Sequence, residues 1–261
     1  MTLFLHELKA SRASLIIWSA AVSFMLGVCV FIYPEMSSQM ADIGDMFADM
    51  GAFSSAFGMD QLNFGEFIGY FGIECGNVLG IGGALFAAIT GVSMLAKEEK
   101  EHTAEFLLTH PISRTRIVTE KLLAAVAQLV IFNASVIAIT VVSIAIVGVE
   151  ADALTVAIIF LAYFLMQLEI LGITFGISAF VRRGELGLGL GFAIISYFIN
   201  IISNLTEDLK FLKYITPFGY TDCADIISNC ELNIAYLAVG ALLLIAGLAA
   251  AFIQYNKKDI L

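Results

Sequence analysis

Six stretches of this chain carry no charged side chain, or only one, over lengths that cross a lipid bilayer. The runs 13–33, 75–96, 122–149, 186–206 and 232–256 contain no Asp, Glu, Lys or Arg, and 153–181 contains only Glu169. A helix rises ~1.5 Å per residue, so ~20 residues span a ~30 Å hydrocarbon core, and each run meets that length. A chain that is 60% hydrophobic and 14% charged lacks the polar surface to cover a water-soluble globule. The expectation is an all-α polytopic membrane protein, a single domain over 1–261 with six transmembrane helices and short interfacial helices. The spans are expected at about 13–33, 71–96, 120–149, 153–181, 186–206 and 232–256. The first run is too long and too poorly terminated for a cleaved signal peptide, so it is read as a retained span.

Basic residues set the expected orientation. Lys9 and Arg12 precede the first span, five Lys and Arg from Lys97 to Lys121 lie between spans two and three, Arg182 and Arg183 separate spans four and five, and Lys257 and Lys258 follow span six. These segments hold all but Lys210 and Lys213 of the 13 basic residues. An even number of spans puts them on one side, which the positive-inside rule makes cytoplasmic, with both termini. The net charge of −10 then belongs mainly to the external loops, 34–70 and 207–231. That acidity argues against a nucleic-acid partner; the lipid bilayer is the first partner the sequence implies.

The first external loop is rich in methionine. A soft metal such as copper(I) is one reading. Met36, Met40, Ile43, Phe47 and Met50 instead recur at helical steps, with Asp42, Asp45 and Asp49 on the other face, which favours an amphipathic surface helix. Span two carries Gly72, Gly76, Gly80 and Ala84, and span five carries Gly187 and Gly191. Small residues at this spacing let helices approach closely, so both spans are expected to pack against protein. Glu169 is deep in span four, where a carboxylate costs ~2.5–3.5 kcal/mol or more without a partner or water. It is either part of a translocation path or a structural hydrogen-bonding group, with Gln167, Asn77, Asn133 or Asn200 as candidate partners. In the second loop, Phe211, Tyr214, Phe218 and Tyr220 suit the headgroup region, and Cys223 and Cys230 are both external, so a disulfide is one outcome.

Catalytic chemistry finds little footing. No G-x-x-x-x-G-K-[ST] or G-x-G-x-x-G pattern is present, so the chain offers no nucleotide site and no bound cofactor of its own. Glu98 and Glu99 are paired, but Thr103 stands where an intramembrane peptidase pattern wants arginine. His6, His102 and His110 all fall outside the spans.

The link between spans two and three, 97–119, is longer than a turn requires. Lys97 and Glu101 are an i, i+4 pair that favours continuing the helix past the membrane surface. Phe106, Leu107 and Leu108 form an apolar patch. His110 before Pro111 breaks the helix, and Ser113 is placed to cap a new one running through Arg114 into span three. Such a segment docks on a protein or lies at the lipid headgroups. Its sequence, KEEKEHTAEFLLTHPISRTRIVTEKLL, resembles the coupling segment of type-2 ATP-binding-cassette permeases, in the residues Glu99, Glu105, Leu107, Leu108, Pro111, Ser113, Arg114 and Lys121. The long first external loop and the KYITPFGY segment before span six match more loosely, and His102-Thr103 departs from the Gly-Thr of many relatives. The resemblance implies a permease subunit without catalytic residues or metal, working as an exporter in the plasma membrane of a prokaryote. It also implies a second permease copy or paralogue, and a separate cytoplasmic ATPase subunit that binds the ATP. An ATPase-independent carrier and an immunity-type membrane protein are the alternatives.

Overall fold

A computed structural model describes residues 2–48, 51, 54, 62, 65–100, 112–181 and 186–257, with side chains except at 2, 38–48, 98, 100 and 207. The described residues form an all-helical bundle without strands. Among the described residues six helices are long and apolar enough to cross a membrane: Arg12–Ser37, Phe67–Met94, Arg114–Val147, Ala153–Ser178, Leu186–Ser203 and Ile234–Lys257, here spans one to six. In lipid every backbone group must be satisfied within its own helix, which is why β-branched runs such as ITVVSIAIV of span three are helical.

Turn chemistry joins the spans. Span three ends where Gly148 adopts a left-handed conformation (φ 75°) and donates its N–H to the Ile144 carbonyl, 2.9 Å away. Four residues later Asp152 caps span four by accepting from Thr155 N (3.0 Å) and the Thr155 hydroxyl (2.5 Å). This turn lies at the acidic end of the bundle, opposite the basic end that holds Lys97, Arg114 and Lys121.

Spans two and four are the centre, with 67% and 61% of their apolar windows buried, against 11% for span six. Phe86 of span two stacks on Phe132 of span three at 4.8 Å and meets Trp18 of span one at 6.2 Å. The outward faces stay apolar, Phe24 at 71% and Leu242 at 66% exposure, as lipid-facing surfaces must.

Three features depart from expectation. The helix of span one does not stop near Tyr33: it runs through Pro34 to Ala48, so the start of the Met-rich loop prolongs the span. The side chains of Met40, Ile43 and Phe47, and the whole of Met50, lie outside the described residues. Span five is packed on one side only. Gly189 lies against Ala88 and Val92 of span two, while a Cβ on Gly187 or Gly191 would meet nothing within 4 Å. Finally, the segment before span six does not lie flat at the headgroups. Phe211 and Tyr214 are exposed, whereas Thr216, Phe218, Tyr220 and Thr221 are buried in the bundle. Thr216 donates its hydroxyl to the Ser196 carbonyl (2.8 Å), deep in span five, so this stretch re-enters from the acidic end.

Candidate functional site

The basic end carries the roots of the 97–119 link. Span two closes at Met94, and a one-turn helix, Lys97–Lys100, follows. Glu99 is half-buried there. Glu105, Leu107, Leu108 and Pro111 lie outside the described residues. On the far side Ser113 has the extended backbone of a cap (ψ 145°) and accepts from Arg116 N at 3.3 Å, opening the span-three helix at Arg114. Arg114 reaches across to span six, donating from Nη1 to the carbonyls of Tyr255 (3.2 Å) and Asn256 (3.3 Å). Those carbonyls belong to the last turn of span six, where backbone acceptors are free and the helix dipole favours a cation.

An ionic cluster built on a buried Glu7–Lys121 pair ties both roots together. Glu7, on the N-terminal helix Thr2–Ala10, is 2% exposed and Lys121 of span three is 0% exposed. Glu7 Oε1 lies 3.3 Å from Lys121 Nζ, and Glu7 Oε2 accepts from Lys97 Nζ at 3.5 Å. Lys121 also donates to the Met94 carbonyl at 2.6 Å. Removing one member of such a pair typically costs ~3–5 kcal/mol, because its partner is left buried and unpaired. The N-terminal helix is further capped by Glu120 of span three, whose Oε2 accepts from the N–H groups of Leu3 (3.1 Å) and Phe4 (3.2 Å). Sequence reasoning passed over Glu7 and Glu120. The available signal was weak: Glu7 stands among Leu3, Phe4, Leu5 and Leu8 in TLFLHELKA, but beside His6 and Lys9, so nothing in the stretch marks it as buried. A cavity of about 300 Å³ opens beside the cluster, with Ser11, Ser14, Thr90 and Ser93 among its lining.

Glu169 is 2% exposed between span four and the re-entrant segment, and accepts from the Tyr220 hydroxyl at 2.8 Å. Gly240 of span six provides the space, since a Cβ there would run into the carboxylate. Of the expected partners, Asn133 and Gln167 bond each other instead, Nδ2 to Oε1 at 2.6 Å. Asn77 and Asn200 line a separate cleft. A second carboxylate, Glu74, also lies inside a span helix, where it accepts from the Cys29 thiol at 3.3 Å.

That cleft, of about 70 Å³, opens toward the acidic end between spans two and five and the re-entrant segment. Gly76, Asn77, Tyr163, Tyr197 and Asn200 line it. The helix of span two widens here into a π-helical stretch, Cys75–Gly80, a deviation frequent at functional sites. Cys223 is also on its wall. Burial pushes this thiol up to about 12, and it stays protonated against the Tyr163 hydroxyl at 3.4 Å. Cys223 and Cys230 are both free thiols, the first buried and the second exposed. Among the described residues no three His, Cys, Asp or Glu side chains gather as metal ligands.

A family model described as ABC-2 family transporter protein matches residues 1–260. No curated protein matches the chain.

Proposed function

The chain belongs to the ABC-2 transporter family, a multi-pass membrane permease by family and by its six spans, and from that premise we propose that it is the membrane subunit of an ATP-driven exporter. In this reading the basic end faces the cytoplasm of a prokaryote, in its plasma membrane. A separate ATPase subunit binds ATP and docks on the 97–119 link. Two copies, or this chain and a similar permease, enclose the path. Glu99, Glu105, Leu107, Leu108, Pro111, Ser113 and Arg114 form the docking and transmitting surface, and Glu169 is the candidate for the path.

One observation carries the reading: the link is anchored to the bundle at both roots. A loop that only connected spans two and three would not need Arg114 bonded to the end of span six and Lys121 buried against Glu7. A rigid mounting of this kind supports transmission of force from a docked subunit to the spans. The small acidic-end cleft, with Asn77, Asn200 and Asp222 among its lining, is where this reading puts an exit on the opposite side.

Co-purification tests the reading directly. With the ATPase co-expressed, Glu105→Lys and Leu107→Asp are expected to loosen the subunit and to uncouple hydrolysis from transport. If both variants hold the ATPase and transport normally, the link is a membrane anchor and the exporter reading loses its support.

A further inference from the structure

The link joins spans two and three directly, and span one packs along span three. The link has no direct covalent route to span one. The N-terminal helix does: it continues into span one almost without a break. The Ser11 N–H bonds the Glu7 carbonyl at 3.0 Å and the Leu15 N–H bonds the Ser11 carbonyl at 3.0 Å, so helical hydrogen bonding bridges the junction between Ala10 and Arg12. The N-terminal helix and the start of span one are therefore joined by unbroken helical hydrogen bonding across a single turn residue, Ser11.

We propose that Glu7 is the positioning residue through which the link between spans two and three moves span one, an inference that rests on the coupling reading above. Its two carboxylate oxygens take one root each, Oε2 with Lys97 upstream and Oε1 with Lys121 downstream. The Glu7–Lys121 pair is buried, so its attraction is weakly screened by water and salt, whereas Lys97 is partly exposed. Lys121 is in turn pinned to the end of span two through the Met94 carbonyl. Any shift of either root is felt at Glu7, and Glu7 stands four residues before the Ser11 junction. The neighbouring cavity, lined by Glu7, Ser11 and Ser14 of the N-terminal helix and span one and by Thr90, Ser93 and Lys97 of span two and its extension, leaves unfilled volume beside the N-terminal helix. Close-packed helices have no such space.

Hydrogen exchange on the permease purified with its co-expressed ATPase tests this. In the wild-type complex, trapping with ATP, magnesium and vanadate is expected to change exchange at residues 2–10 and at 114–121. In Glu7→Gln, which keeps the side-chain shape, the response at 114–121 should persist while that at 2–10 is lost. A purely structural role would instead alter exchange at 2–10 equally with and without nucleotide, and that result overturns the proposal. So does a Glu7→Gln complex whose 2–10 response matches the wild type, or a wild type in which only 114–121 responds. Should Glu7→Gln fail to fold, Lys97→Met leaves the buried Glu7–Lys121 pair in place; a diminished 2–10 response supports the proposal and an unchanged one sinks it. If no ATPase co-purifies, or neither region responds to nucleotide in the wild type, the coupling reading itself has failed, and the role of Glu7 with it.

Discussion

Tyr220 and Glu169 are 51 residues apart in the chain and bonded in the middle of the bundle. The glutamate was recognisable from sequence as an in-span carboxylate that needs a partner. The partner was not, because the tyrosine belongs to a segment whose aromatic residues suit an interface equally well, and only its re-entry brings it within reach. The geometry separates two roles for the pair. Tyr220→Phe removes the donor and leaves a carboxyl group buried with one bond fewer, which should cost about 1–3 kcal/mol and lower the thermal unfolding midpoint. Glu169→Gln keeps an acceptor for the phenol and should fold normally, yet impair transport if the ionisable group works in the path. Normal transport by Glu169→Gln across a range of pH would leave the residue a structural bond and nothing more.

Among the helices, identical sequence spacing has led to different packing. Gly76 and Gly80 of span two face the Tyr163 ring, and Gly83 and Gly91 face Gln167 and Thr174, so span two is gripped along its length by span four. Gly176 of span four faces the backbone of Gly247 in span six, a contact that rotamer changes cannot relieve. Gly176→Val should therefore push span six away and lower the unfolding temperature markedly. Gly187→Ala and Gly191→Ala, with open space around them, should leave the fold of one copy intact and gain up to ~1 kcal/mol of helix propensity. Equal thermal stability of all three variants would show that these contacts do not decide helix packing. The spacing predicted close approach for both stripes because four-residue repeats place small residues on one helix face; it carried no information about whether a neighbour stands opposite.

At the scale of the whole molecule, burial is uneven across the spans. Spans two and four form a buried spine, while spans five and six keep broad apolar faces, including Ile195 at 60% and Leu242 at 66% exposure. Lipid covers such faces, and so would a second permease, for which the open glycines of span five give room. Native mass spectrometry of the transporter is expected to show two permease copies, or this chain with a related one. A functional assembly with a single copy and no permease partner would refute the paired pore.

Hydropathy alone determined that this chain is an all-helical membrane protein with six spans, since runs of uncharged residues longer than a bilayer is thick have no other stable state in it. Local chemistry determined the start of span three as well, because a serine after a proline, followed by a basic helical segment, caps in the same way wherever the rest of the chain goes. Tertiary structure decided what no local pattern encodes: that Glu7 meets Lys97 and Lys121, that the KYITPFGY segment dips inward, and that span two is enclosed while span five is open. Each of these depends on which helix stands beside which. A buried charge or a glycine face announces that a neighbour is needed, but the neighbour's identity comes from packing across the whole bundle.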